Sequence, residues 1–167
     1  MTVVSDTSVL IHLARIDRFG LLRRLYSEIT VPEAVWRETV VEGERRPGAS
    51  ELNSARTSGW VEVVSVTPDT GTWQLLRQAL DAGEADALAL ADQIGADLVL
   101  LDESAARRRA RSLGLRKTGT VGVLLRAKRK GMIDELRPEL DHLRATAFWI
   151  DEALYRRVLE AVNEDLA

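Results

Sequence analysis

Short apolar or β-branched runs alternate with segments of helical spacing along the chain, and this alternation constrains the fold more than any other feature. The clearest run is Leu-Val-Leu-Leu within residues 97–101, which is typical of a strand buried in a parallel sheet. Strands that alternate with helices predict a three-layer α/β/α sandwich around a mainly parallel sheet. We expect strands at 2–5, 28–31, 60–66, 97–101 and 116–118, and a loop at 42–49. One helix opens at Val31-Pro32-Glu33. The other helices are expected at 7–15, 19–25, 73–94 (with a break near 81–83), 103–113, 119–130, 134–145 and 151–165.

The length and composition exclude several classes of protein. A chain of 167 residues corresponds to one domain, here residues 1–167. The absence of cysteine excludes disulfide scaffolds, thiolate zinc sites and cysteine nucleophiles, and two histidines are too few for a histidine-rich metal site. No apolar run approaches the roughly 20 residues of a membrane span, and no signal peptide is visible. We therefore expect a cytoplasmic protein without a membrane partner.

Positive charge is concentrated in one segment, residues 104–133. The segment contains ten basic residues and no acid, whereas the net charge of the whole chain is −3. Such a segment is either a pair of solvated helix faces or a binding surface for a polyanion. If it binds RNA, our candidates for contacting phosphate are Arg107, Arg108 and Lys128, because they lie on the predicted helices flanking the strand that precedes Asp102.

Two of the predicted strands end in a carboxylate. Asp6 follows Val-Val-Ser, and Asp102 follows Leu-Val-Leu-Leu. Ligands bind at the carboxyl ends of strands in open parallel α/β sheets, so two acids there favour a shared site. A single acid in this position is more often the N-cap of the next helix.

A third acid, Glu38, falls on the inward face of the helix that opens at Pro32. At about 100° per residue it lies beside Val31 and Val35, where a carboxylate is costly unless a partner compensates its charge. The structural alternative is an ion pair with an arginine. Glu42 lies one turn further along the same face and could take the place of Glu38.

Glu84 is the fourth candidate, on the flank that the helix shares with Ala87 and Leu88. The alternative role for Glu84 is stabilisation of the helix start, where the dipole favours an acid. Asp86 lies about 160° around the same helix, so Glu84 and Asp86 should not serve one site together.

Together these acids predict a metal site built only from oxygen ligands. Converging carboxylates repel one another unless a cation neutralises them, and oxygen ligands suit Mg²⁺ or Mn²⁺. Such a site typically activates water for phosphodiester cleavage.

The same segments resemble the PIN domain family of metal-dependent nucleases. The likeness covers about residues 2–160, and 119–128 resembles an uncharacterised branch with a Gly-Glu signature in its third motif. The resemblance implies that Asp6, Glu38 and Asp102 are the first, second and fourth acids, and an ungapped count back from Asp102 makes Glu84 the third. The segments that carry the likeness are Val-Val-Ser-Asp6-Thr-Ser-Val-Leu-Ile, Val-Pro-Glu-Ala-Val-Trp-Arg-Glu38, Leu-Asp-Ala-Gly-Glu84-Ala-Asp-Ala-Leu, and Gly-Ala-Asp-Leu-Val-Leu-Leu-Asp102-Glu.

The resemblance further implies an endoribonuclease that cleaves RNA with Mg²⁺ or Mn²⁺ held by these four acids. Many members are VapC-type toxins that are paired with a small antitoxin protein and often form homodimers. Two other classes stay open. One is a non-catalytic PIN-like module that binds RNA or protein. The other is a phospho-aspartyl enzyme with Asp6 as nucleophile, which is disfavoured because Ser8 stands where a second aspartate is usual.

Overall fold

The computed structural model describes residues 1–69 and 71–164 and contains one five-stranded sheet. All strand pairs are parallel, in the order β3-β2-β1-β4-β5, so the sheet is the parallel α/β sheet predicted from the sequence. The strands are β1 (Val3–Ser5), β2 (Ile29–Pro32), β3 (Val61–Val64), β4 (Leu98–Leu100) and β5 (Lys117–Thr118).

Helices connect successive strands and cover both faces of the sheet. The long crossover connections that parallel strands require are supplied by these helices. They are α1 (Thr7–Arg15), α2 (Leu21–Tyr26), α3 (Glu33–Trp36), α4 (Ala49–Thr57), α5 (Thr72–Ala79), α6 (Ala82–Ile94), α7 (Ser104–Ser112), α8 (Thr120–Arg129), α9 (Arg137–Ala145) and α10 (Glu152–Glu160).

Alternate side chains of the central strands enter two separate cores, as the pleat of a strand requires. In β1, Val3 packs into the core that also contains residues of α1, α2, α8, α9 and α10, whereas Val4 packs into a second core with α5, α6 and α7. In β4, Leu98 and Leu100 join the first core and Val99 the second. Both faces of the sheet are therefore buried, which explains the continuous apolar runs.

The strand order changes direction between β1 and β4. From β1 the chain adds β2 and β3 on one side, and it returns to add β4 and β5 on the other. Ser5 pairs with Leu100, and the Asp6 N–H donates to the Leu100 carbonyl over 3.1 Å. The carboxyl ends of β1 and β4 thus lie side by side at the topological switch point, where α/β sheets bind ligands.

The predicted strands and most helices are confirmed, with boundaries shifted by a few residues. Helix α4 (Ala49–Thr57) was not predicted, because its polar surface gives it only a weak apolar stripe. The predicted helix at 134–145 is shorter and begins at Arg137. The predicted helix at 151–165 ends at Glu160, and Asp165 lies outside the described residues. Within residues 1–69 and 71–164, no helix combines the length and apolarity needed to cross a membrane.

Candidate functional site: an acidic edge at the sheet switch point

Asp6 is fully buried directly after β1, and it is also the N-cap of α1. Its carboxylate accepts hydrogen bonds from the Val9 N–H at 3.1 Å and from the Ser8 hydroxyl at 3.3 Å. The expected capping role is therefore real. However, burial raises the pKa of Asp6 well above its usual range, and repulsion from Asp102 and Glu84 raises it further. Capping alone does not account for an acid in these surroundings.

Asp102 follows β4 and is held by three donors from two helices. The Thr120 N–H and hydroxyl donate over 2.8 and 2.7 Å, and His12 Nδ1–H donates over 2.9 Å. A Cβ atom on Gly119 would come within 2.6 Å of Asp102 Oδ1. Glycine at this position therefore leaves the space that the carboxylate needs.

Glu38 reaches the same edge from a π-helical turn, Arg37–Val41, that continues α3. Its carboxylate accepts a hydrogen bond from the Thr7 hydroxyl over 2.7 Å. A Cβ on Gly83 would lie 2.7 Å from Glu38 Oε2, so the start of α6 packs directly against this carboxylate. Within the described part of the chain Glu38 has no arginine partner, and Glu42 is exposed.

Glu84 lies in the first turn of α6 and is only 8% exposed. Asp81 is the N-cap of this helix, and its Oδ1 accepts from the Glu84 N–H at 2.8 Å. The Asp81 backbone N–H in turn lowers the pKa of the Glu84 carboxyl, but among the described residues no basic side chain pairs with it. Burial, with repulsion from Asp81, Glu103 and Glu38, raises the pKa of Glu84 to about 7. Glu84 is thus a buried acid whose charge no basic side chain among the described residues neutralises.

Asp86 is equally buried, at 6% exposure, but it is fully paired. Arg77 donates to both of its oxygens over 2.8 Å, and the Trp73 indole N–H donates over 2.9 Å. These donors come from α5, so Asp86 connects two helices. Glu84 and Asp86 thus have different neighbours, as expected for two side chains that point in different directions from one helix.

The basic candidates occupy different positions around the edge. Arg107 lines a cavity of about 360 Å³ together with Asp102 and Gly119. Arg108 is exposed on the same helix. Lys128 donates to the Asp134 carbonyl, and it lies eight residues, or about 12 Å, along α8 from Thr120. The structure therefore brings only Arg107 beside the carboxylates.

The donor set suits a hard divalent cation in chemistry and in charge. The donors are carboxylate oxygens whose mutual repulsion a cation would relieve, and two glycines keep space beside two of them. In the arrangement of the described residues, no three acid or histidine side chains are close enough to form a ready-made metal group. The residues at this edge whose oxygen ligands suit such a cation by type are Asp6, Asp102, Glu84 and Glu38.

Three residues of this edge were missed by the sequence reasoning, namely Thr7, His12 and Thr120. Each donates to one of the candidate acids. Thr7 directly follows Asp6, and Thr120 directly follows a glycine before a helix, but neither pattern indicates which acid the hydroxyl will contact. The position of His12 in the sequence likewise does not indicate that its ring contacts Asp102.

A doubly wound α/β sheet with acids at its switch point defines a class of ligand-binding or catalytic α/β proteins. A family model described as PIN domain matches residues 2–164. The chain therefore belongs to the PIN domain family, as the sequence motifs suggested. Members of this family are generally nucleases, so membership indicates a nuclease-type function. No match is found among curated proteins.

Proposed function

We propose that this protein is a metal-dependent endoribonuclease whose site consists of Asp6, Glu38, Glu84 and Asp102. The observation that carries the proposal is that these acids meet at the switch point, where burial and repulsion from neighbouring acids, including Asp102 and Glu38, raise the pKa values of the buried Asp6 and Glu84. Carboxylates that repel one another lower the stability of the folded chain. Such a group is expected where a bound cation neutralises the negative charge. Family membership supports the nuclease class and, more coarsely, the use of a divalent metal.

The residues of the site would have three roles in the proposed reaction. The four acids, Asp6, Glu38, Glu84 and Asp102, would hold Mg²⁺ or Mn²⁺. When bound, this cation would lower the pKa of a water molecule and neutralise negative charge on the phosphate. Thr120 and His12 fix the orientation of Asp102 through three hydrogen bonds. Arg107, beside Asp102, would contact a phosphate oxygen of the RNA.

The proposal extends to a toxin of a type II toxin–antitoxin pair that acts in the cytoplasm as a homodimer and is inhibited by a small antitoxin protein. The support for this extension is the resemblance of the motifs around the four acids to the PIN domain family, many of whose members are VapC-type toxins. Induced expression should arrest growth, and Asp102→Asn should abolish the arrest. Arrest by the variant at equal expression would contradict the toxin role.

The direct test is cleavage of a labelled RNA by the purified chain in Mg²⁺ or Mn²⁺ and in EDTA. We expect cleavage only with metal, and a loss of about 100-fold or more for Asp102→Asn. Asp92→Asn is the matched control, since Asp92 is an exposed acid near the other end of α6. Metal-dependent RNA binding without cleavage would favour the non-catalytic module instead.

A further inference from the structure

Trp149 is 81% exposed, the largest exposed fraction among the large hydrophobic residues described. It lies between α9 and α10, two residues after Ala147, whose φ of 66° is unusual for a residue with a Cβ. An indole in water forgoes a large burial energy. A backbone turn of this kind, which presents an indole to solvent, is a reason to look for a ligand there.

The segment that carries Trp149 contacts the acidic edge, the side of the sheet where Asp6, Glu38, Glu84 and Asp102 lie. The Phe148 ring packs edge-on against the His12 ring, with centroids 4.7 Å apart, and His12 in turn donates to Asp102. On the other side, Ile150 is buried and its carbonyl accepts from Arg144 over 3.1 Å. Trp149 is therefore held between two anchored neighbours, and its position is coupled to that of a site carboxylate.

Trp149 also borders the cavity that contains Asp102 and Arg107. The cavity has a volume of about 360 Å³, which lies in the range of small-molecule sites, and Phe148 lines it next to Trp149. Its lining thus combines a carboxylate and a guanidinium with two aromatic rings. A nucleotide has the same two parts, a charged phosphate and a flat aromatic base.

We propose that Trp149 is a stacking platform for a base of single-stranded RNA adjacent to the phosphate held at the acidic edge. This inference rests on the proposed function and adds the form of the substrate, because a base can stack on Trp149 only when it is not in a duplex. The other large exposed hydrophobics, Met1, Val41, Leu75 and Ile94, belong to other segments and do not line this cavity.

The test uses a fluorescein-labelled, unstructured RNA octamer and an abasic ribose-phosphate octamer of equal charge, both titrated by anisotropy in EDTA so that no cleavage occurs. We expect the wild type to prefer the octamer with bases by about tenfold. Trp149→Ala should remove this preference, and Trp149→Phe should retain most of it. Leu75→Ala, at an exposed apolar residue elsewhere, should leave it unchanged.

Binding of both probes with equal affinity by the wild type, or an unchanged preference in Trp149→Ala, would overturn the inference. A Trp149→Ala chain that becomes monomeric while its base preference persists would also overturn it, and would assign Trp149 to an interface between copies. Cleavage of RNA by the wild type is measured separately. Absent cleavage with an intact, Trp149-dependent base preference would refute the nuclease proposal but support the stacking platform.

Discussion

The acidic edge, where Asp6, Glu38, Glu84 and Asp102 lie, and the contact between α5 and α6 both contain buried carboxylates. They differ in whether a basic side chain neutralises the negative charge. At the helix contact, Asp86 receives three hydrogen bonds, two of them from a guanidinium. At the edge, Glu84 has only the Asp81 backbone N–H as a donor, has no basic partner among the described residues, and is surrounded by other acids. The two residues lie two positions apart in one helix and are equally buried.

This difference separates a carboxylate that stabilises the fold from one that opposes folding when it is ionised. A buried acid with an arginine satisfies its own charge and gains nothing from a cation. A buried acid that faces other acids opposes folding when it is ionised, and that cost is relieved only by a proton or a metal. Burial alone therefore does not identify a site residue, whereas burial without a compensating partner does.

The largest expected effect on stability comes from leaving Asp86 unpaired. Arg77→Met should lower the free energy of unfolding by about 2–3 kcal/mol, because a buried carboxylate then keeps only the indole donor. The value lies below that of fully buried pairs because Arg77 is 38% exposed. Urea denaturation measures the effect, with Arg111→Met on the exposed face of α7 as control. Equal stability of the two variants would mean that the pair is not structural.

The acidic edge should respond to metal, and the helix contact should not. At about ten times the dissociation constant, Mg²⁺ or Mn²⁺ should stabilise the wild type by about 1.4 kcal/mol, or roughly 3–6 °C in melting temperature. Asp6→Asn should abolish the shift, and Asp92→Asn should retain it. Thermal denaturation with and without EDTA provides the measurement. A full shift in Asp6→Asn would remove Asp6 from the proposed metal site.

Without metal, Glu84 should make stability fall with rising pH. Its pKa is about 7 in the folded chain, above the value of 4.5 for an unperturbed glutamate, so the folded state binds the proton more tightly. The contribution is fully present below about pH 4.5 and is lost as the pH rises to about 7. Glu84→Gln should therefore be more stable than the wild type at pH 8 in EDTA and close to it at pH 4.5, as measured by urea denaturation. The opposite order at pH 8 would show that the Glu84 carboxylate has a compensating partner.

The smallest expected effect is that of Glu38→Gln. Glutamine can still accept the hydrogen bond of the Thr7 hydroxyl, while the repulsion of Glu84 disappears. We expect a gain of about 0.5 kcal/mol or less in the metal-free chain, because Glu38 is partly exposed and its charge is screened. Urea denaturation in EDTA measures it, and a clear destabilisation would make Glu38 a structural residue rather than part of the repelling group.

The sequence was sufficient to predict the sheet and the two acids at strand ends. The apolar runs before Asp6 and Asp102 identified their strands, and the parallel arrangement placed those strand ends at one edge. Helical periodicity separated Glu84 from Asp86, although it could not reveal the arginine from α5 that neutralises Asp86. It also could not show the π-helical turn at Glu38 or the contacts of Thr7 and Thr120, because these depend on how helices meet in space.

The central claim is that the acids of the edge, which have no arginine or lysine partner among the described residues, perform the chemistry, and that the arginine-paired Asp86 does not. The most direct test compares RNA cleavage by Glu84→Gln and Asp86→Asn in Mn²⁺, normalised to the folded fraction of each variant measured by circular dichroism. We expect Glu84→Gln to lose about 100-fold or more in rate while remaining folded, and Asp86→Asn to lose stability but keep its rate per folded molecule within a few-fold. A folded Asp86→Asn that is inactive, beside a fully active Glu84→Gln, would contradict this account.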